Sequence, residues 1–390
     1  MSWRRAEIVR EIRRWGGAVE YAARLAPEDA AGLPDEVRAL AYVRMVGEPV
    51  VGDVVLLNVS ALVKGLGTGG MALVVAIPDR LPADLDAPGH IVKARYTPQQ
   101  QMFLAIDEQD SPHHEALSGD LAADGALDGL PVVVADLHSA LPAVLAGIRA
   151  DRPDARVVYV MTDGGALPLA FSRAVAGLVD AGWLASTITV GQAFGGEHEA
   201  VTLHSALVAA KHVLEADVVV VAQGPGNVGT GTPWGFSGVA AGEALNAAWT
   251  LGGHAIGALR VSFGDARGRH RGLSHHSRTA YGRVCLVPAV LPYPAPTNDE
   301  QALVRDQVED LVAGANGQLS AEAVDTDGLR EALEGSPVGL STMGRGLDAD
   351  PEAFIASAAA GRYAGLSTDA ATIQRGRGTT ATKEPTTPER

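Results

Sequence analysis

The sequence predicts an α/β protein, a mostly parallel, doubly wound sheet with a small N-terminal β-rich domain before it and C-terminal helices after it. Three observations carry the prediction. Six short apolar runs, at 132–135, 157–160, 187–190, 218–222, 255–261 and 284–288, alternate with helix-length Ala/Leu segments, the rhythm of strand and crossover. Ahead of them, between 42 and 95, shorter β-rich runs follow one another with Gly, Pro and Asp turns between. The 390 residues, 47% hydrophobic and 20% charged, are too many for one core and too apolar for a disordered chain.

Taken in order, residues 1–40 are charge-rich and read as a helical lead. Residues 41–106 form the β-rich domain, a small barrel or sandwich, with strands expected at 42–46, 54–59, 71–77 and 90–94. The run Gly65-Leu66-Gly67-Thr68-Gly69-Gly70 between two of these is either a wide glycine turn or a loop that lets a ligand approach the backbone. The acidic stretch 107–130 reads as a junction. Residues 131–297 hold the parallel sheet, whose strands, buried on both faces, should be continuous apolar runs, as 218–222 is. Helical periodicity at 302–312 and 329–333 makes 298–363 a helical appendage, and 364–390, where apolar residues thin out, reads as a disordered tail.

Charge narrows the function. Against 46 Asp and Glu stand 31 Lys and Arg, a net charge of -15, which argues against a phosphate-tracking nucleic-acid groove. The single cysteine, Cys285, rules out an internal disulfide and multi-cysteine metal cages, and its apolar neighbours suggest a buried strand. No apolar signal core follows Arg4 and Arg5, and no run nears the ~18 uncharged apolar residues of a membrane span. The expected location is the cytoplasm, with no membrane and no nucleic acid as partner.

In open parallel sheets ligands bind beyond the carboxyl ends of the strands. Here the segments that follow strands are rich in Gly, His and acids: Asp136-Leu137-His138-Ser139, Thr162-Asp163-Gly164-Gly165, 191–199 ending in Glu197-His198-Glu199, 223–232 and 262–276. The segments that enter strands are ordinary surface sequence. In the fourth of these loops Gly224, Gly226, Asn227, Gly229, Thr230 and Thr232 are candidates to cradle an anion on backbone N–H groups. Its Gly224-x-Gly226-x-x-Gly229 spacing matches a dinucleotide fingerprint, but it follows the fourth strand and no acid stands where a ribose would be read.

The fifth loop is the densest in chemistry. It offers Arg267, Arg269 and Arg271 as bidentate anion clamps, and Asp265, His270, His275 and His276 as proton-transfer groups. A metal site could join Asp265, His270 or His275 to Glu197, His198 or Glu199 from the neighbouring loop, since imidazole and carboxylate suit zinc, manganese or iron. His204 and His212 sit inside a helical segment and read as packing or surface residues. Nucleophilic catalysis would fall to Ser139, Ser205, Ser274 or Thr162, but no Gly-x-Ser-x-Gly elbow is present, and Ser237 misses that pattern by one position. Asp163 is a general base, a metal ligand or the N-cap of the next helix, the cap being favoured.

Several strings together resemble those of one family: Leu56-Leu57-Asn58, the 65–70 glycine run, Met161-Thr162-Asp163-Gly164-Gly165-Ala166-Leu167-Pro168, Phe194-Gly195-Gly196, 224–232, Arg267 through His276, and Ser341-Thr342-Met343-Gly344-Arg345-Gly346. The chain from about residue 40 to 361 resembles a family of bacterial proteins that carries only a domain-of-unknown-function label. The resemblance implies that the β-rich front and the α/β body form one unit and that the tail lies outside it. It implies no activity, cofactor or catalytic residue.

The sequence therefore points to an enzyme, a hydrolase or group transferase, acting on an anionic small molecule at the carboxyl edge of the sheet. In this reading the 224–232 loop cradles the anion, Arg267, Arg269 or Arg271 clamps it, and His270, His275 or His276 moves protons with Asp163, Asp265 or Glu199. A non-catalytic metabolite-binding regulator is the alternative, and a nicotinamide-dependent oxidoreductase the third reading. A bound divalent metal and a homo-oligomeric state are left open.

Overall fold

The computed structural model describes residues 2–30, 32–66, 68–84, 88–120 and 127–378, with side chains to residue 367. Strands β1 (Trp3–Trp15), β2 (Ala18–Leu25), β3 (Glu36–Tyr42), β4 (Val54–Asn58) and β5 (Met71–Ala76) close into a barrel in the order β1-β2-β3-β5-β4. Closure leaves no free edge, and Ile8, Val19, Tyr21, Val37, Val55, Leu57 and Val74 fill the interior. The expected helical lead is thus a pair of strands. Two register shifts in β1, at Ile8/Arg10 and Glu11/Arg13, break its alternation and hide the strand in the sequence. The run expected as a barrel strand at 90–94 instead forms a separate hairpin, β6 (Ile91–Lys93) with β7 (Gln101–Phe103).

The body is an eight-stranded sheet. In chain order its region contains β8 (Pro131–Ala135), β9 (Val157–Thr162), β10 (Ser186–Thr189), β11 (His198–Glu199), β12 (Val218–Gln223), β13 (His254–Gly257), the small ribbon β14 (Val261–Ser262) with β15 (Gly272–Leu273), β16 (Ala289–Pro294) and β17 (Leu319–Val324). The sheet runs β11-β10-β9-β12-β8-β13-β16-β17, and every pairing is parallel. The strand expected at 284–288 begins at 289, because 280–284 is a single π-helical turn that ends at buried Cys285. Pro292 and Pro294 are tolerated since β13 meets β16 only at Ile256–Val290, leaving that side open beyond it. β17 lies within the expected helical appendage and extends the sheet.

Helices α1 (Leu141–Asp151), α2 (Arg173–Asp180), α3 (Leu203–His212), α4 (Ala240–Thr250), α5 (His275–Thr279), α6 (Asp299–Ala313), α7 (Leu329–Glu334) and α8 (Pro351–Gly378) surround the sheet. Alternation along β8 divides the core: Val132 and Val134 pack with α3 and α4, Val133 and Ala135 with α1, α2 and α8. Helices α1 and α8 touch backbone to backbone. A Cβ on Gly147 would lie 1.9 Å from the Ala358 carbonyl oxygen, and one on Gly361 2.0 Å from that of Val144. Helix α8 continues through 364–378, which the sequence assigned to the tail; 379–390 lie outside the described residues. Among the described residues no helix is long and apolar enough to cross a membrane.

The barrel sits on the body. Trp15 Nε1 donates to the Ala170 carbonyl at 2.8 Å, and Ala18, Leu40 and Met71 pack against Ala170 and Phe171. Within the sheet the chain leaves β8 toward β9 on one side and later crosses to β13 on the other. The ends of β12, β8 and β13 therefore flank a topological switch point, where such folds open a crevice.

Candidate functional site

Each of these three strands delivers a polar residue at its carboxyl end. β8 is followed by Asp136, β12 ends in Gln223, and Arg260 comes three residues after β13. Asp136 is 3% exposed. Its Oδ2 lies 3.6 Å from Arg260 Nη1 and 3.7 Å from His276 Nδ1. Arg260 Nη1 in turn donates to His276 Nδ1 at 2.7 Å, which leaves that nitrogen bearing a lone pair.

The histidines gather because α5 starts among them. Ser274 caps this short helix: its Oγ accepts the His276 N–H at 3.2 Å and lies 2.8 Å from His270 Nδ1. The rings of His270, His275 and His276 form a triangle with centroid separations of 4.9, 5.1 and 4.3 Å. His276 also lies flat on Phe236, 3.7 Å away and 4° from parallel. Phe236 arrives on the returning arm of the β12 loop, where it bridges to Gly229. Space is tight at Gly238, where a Cβ would lie 3.0 Å from Asp136 Cβ and 3.2 Å from the Phe236 ring, so either neighbour would have to give by a few tenths of an ångström.

Burial, then the cations Arg260 and Arg267, push His270 down to about 3. Burial, then His276 and the surrounding arginines, push His275 down to about 4. Both imidazoles are neutral at physiological pH. Beneath them Asp350 accepts from Ser262 Oγ (2.5 Å), the Phe263 N–H (2.9 Å) and Arg345 Nε (2.9 Å), tying α8 to the ribbon that carries the histidines.

Among the described residues, four buried side-chain atoms near this edge have no hydrogen-bond partner: Asp136 Oδ2, Gln223 Oε1, Asn227 Nδ2 and His275 Nε2. Native interiors leave few such atoms unsatisfied. Two small recesses flank Asp136, of about 30 and 20 Å³, each the size of a water or an ion. A larger cavity of about 500 Å³ lies between barrel and body, walled by Tyr42, Leu73, Phe171, Phe194, Pro225 and Gly226 among others.

Of the residues singled out in the sequence, the structure brings together His270, His275 and His276, with Asp265 acting electrostatically on His270. Asp265 itself is held by Arg267, which donates through Nε at 2.9 Å and Nη2 at 2.7 Å, and this hydrogen-bonded pairing keeps its carboxyl well below the usual range. Arg267 is therefore committed, Arg271 lies over the Phe263 ring and Arg269 is exposed. The arginine at the centre is Arg260. The Gly224–Gly229 segment and Thr230 and Thr232 form a tight loop that spends donors internally, Val228 N–H on Ser237 Oγ and Thr230 N–H on the Gly235 carbonyl. No helix starts at Gly229, so the nicotinamide fingerprint lacks its structural context.

Glu199 is elsewhere. It lies on the edge strand β11, five strand positions from β13, about 24 Å at the usual spacing, so the expected metal set joining Glu197, His198 or Glu199 to His270 or His275 does not form. Glu199 instead accepts from Thr189 Oγ1 and the Gly195 N–H, both at 2.6 Å, and lies 3.5 Å from fully buried Lys93. Asp163 caps no helix: α2 is capped by Ser172, while Asp163 accepts the Gln192 N–H at 3.0 Å. Asp136 and Gln223 stand in the post-strand segments singled out in the sequence and Arg260 within an expected strand, but none of the three is among the sequence candidates for the site. The one available signal was position, each being a polar residue at the end of an apolar run.

Fold and site together define a parallel α/β protein with an N-terminal barrel and a histidine-lined polar site at the switch point of its sheet. The chain belongs to the family described as Protein of unknown function (DUF3866), whose profile matches residues 38–361, from β3 into α8. No curated protein and no solved structure matches it.

Proposed function

We propose that the protein is an enzyme, a hydrolase or group transferase, acting on a small molecule with an anionic group where β8, β12 and β13 end. The unpartnered atoms near these strand ends support this reading, with Asp136 and Gln223 lining one recess. Asp136 Oδ2, Gln223 Oε1, Asn227 Nδ2 and His275 Nε2 offer acceptors and donors to a polar guest, and leaving such groups unsatisfied costs about 1–3 kcal/mol each. Arg260 would pair with the anion through its planar fork. Asp136, beside a water-sized recess, is placed to take a proton from an attacking water or hydroxyl. The 500 Å³ cavity, walled in part by Pro225 and Gly226 of the β12 loop, has the volume for the rest of the molecule. Among the described residues no charged side chain lines that cavity, so in this reading the anionic group is assigned to Arg260.

The competing reading, a non-catalytic metabolite sensor, is favoured by the small size of the recesses beside Asp136. Turnover separates the two. Phosphorylated and carboxylated metabolites are screened by thermal shift, and each hit is incubated with the protein and followed by mass spectrometry. The proposal expects a stabilising hit lost in Arg260→Gln and product formation lost in Asp136→Asn. A hit that stabilises both variants as well as wild type contradicts the site, and a hit bound at Arg260 but never converted supports the sensor.

A further inference from the structure

We propose that His270, His275 and His276 hold a divalent transition-metal ion of the zinc, cobalt or nickel kind. Each ring offers a nitrogen, and the three nitrogens lie within 4.8 Å of one another. In a tetrahedral site with metal–nitrogen bonds of about 2.0–2.1 Å, ligand nitrogens stand about 3.4 Å apart, so side-chain adjustments of about an ångström close the set. Imidazole donors suit these ions and not magnesium or calcium, which require oxygen.

The surroundings resemble a support for ligands. A metal-bound histidine typically donates its other N–H to a fixed acceptor, and His270 Nδ1 faces Ser274 Oγ at 2.8 Å, leaving Nε2 for the ion. The buried His275 Nε2 has no hydrogen-bond partner among the described residues. Stacking on Phe236 fixes the plane of His276.

His276 presents a competition. Its Nδ1 lone pair holds an Arg260 N–H, and an arriving cation must displace that guanidinium. Asp136 Oδ2, without a hydrogen-bond partner and 3.6 Å from Arg260 Nη1, can take the arginine back. Three imidazoles leave a coordination position open, as in catalytic zinc sites, where the ion lowers the pKa of a bound water and makes it a nucleophile. That use of the ion rests on the function proposed above. Its binding rests on the histidine geometry alone.

The test uses the full chain with any affinity tag removed. Metal content is measured by plasma mass spectrometry, zinc affinity by competition with a chromophoric chelator, and the ligand field by the visible spectrum of the cobalt(II) form. Wild type should bind about one equivalent of zinc and give the intense cobalt bands of a four- or five-coordinate site. His275→Gln and His270→Ala should weaken zinc by about 100-fold or more, with circular dichroism showing the fold retained, while His204→Ala, exposed on α3, binds as wild type. Arg260→Gln should tighten zinc by about tenfold, since it removes a neighbouring cation. Zinc affinity equal in wild type, His270→Ala and His275→Gln, or no binding in any, overturns the metal site. If zinc fails while inorganic phosphate stabilises wild type but not Arg260→Gln, the small-molecule reading survives without the metal. If zinc binds as expected but phosphate and the metabolite screen give nothing, the metal site stands and that reading falls.

Discussion

Replacing Lys93 with Met removes a charge that the fold has taken wholly out of water. Lys93 is 0% exposed, and its Nζ donates to the carbonyls of Ala193 (3.0 Å) and Ala200 (3.1 Å) beside the Glu199 carboxylate. Without the ammonium, two carbonyls lose their donor and the buried Glu199 carboxylate loses its neighbouring cation, keeping the Thr189 and Gly195 hydrogen bonds. Breaking one side of a buried pair costs about 3–5 kcal/mol, whereas replacing both sides with matched neutral groups is close to neutral. Lys93→Met should therefore lose about 3–5 kcal/mol at pH 8, and Lys93→Met/Glu199→Gln should recover part of that loss by removing the uncompensated charge, with the two carbonyls still lacking their donor. The pH dependence has a definite sign. Burial raises the Glu199 carboxyl above its ordinary value of 4.5, so its protonated form is favoured in the folded state. A carboxyl raised on folding contributes stability that is present below the unfolded value and lost as pH rises through the folded one. Without Lys93 that rise is larger, so the variant's deficit should be full at pH 8 and shrink as pH falls toward 4.5. Urea unfolding followed by tryptophan fluorescence at the two pH values measures this. A single variant within about 0.5 kcal/mol of wild type at pH 8, or a double variant as unstable as the single, refutes the reasoning.

Gly361→Val places a Cβ 2.0 Å from the Val144 carbonyl oxygen and must lift α8 from α1, so calorimetry should show a loss of about 3 kcal/mol or more, and an unchanged melting temperature would contradict the packing. For Asp350, burial opposes ionisation, but hydrogen bonds from Ser262, the Phe263 N–H and Arg345 outweigh it and hold the carboxyl below its ordinary value of 3.8. Its stabilisation is thus present above that value and lost as pH falls through the depressed folded one, so Asp350→Asn should cost about 1.5–3 kcal/mol at neutral pH and flatten the acid limb of a melting-temperature profile. An Asn variant with the wild-type acid limb would sink this. Gly238→Ala crowds Asp136 and Phe236 and should weaken zinc binding at least as much as it disturbs stability; unchanged affinity would show that Phe236 does not position His276.

The legible parts of the fold were the strands buried on both faces. Val218 through Ala222 and Val132 through Ala135 are uninterrupted apolar runs because helices cover both sides. β1 was not legible, because its bulges interrupt the two-residue period, nor was β17, whose residues between Leu319 and Val324 are half-buried or exposed. Strand order was the costlier gap. A sequence locates strands but not their neighbours, so Glu199 and His270 were grouped although β10, β9, β12 and β8 stand between their strands. The histidines of 270–276 were visible as a dense cluster, and the turn that gathers them is local. Arg260 was hidden inside what read as a strand, since the chain passes from β13 to β14 with Arg260 the sole polar residue on the way.

The claim that the ends of β8, β12 and β13 form a ligand site is tested most directly by native mass spectrometry of the purified, tag-free protein. The account predicts a defined added mass, carried by wild type or acquired on adding zinc and phosphate, that disappears in the Asp136→Ala/His275→Ala double variant. A bare chain mass under every condition, or an adduct that persists unchanged in the double variant, would place the function of this protein elsewhere.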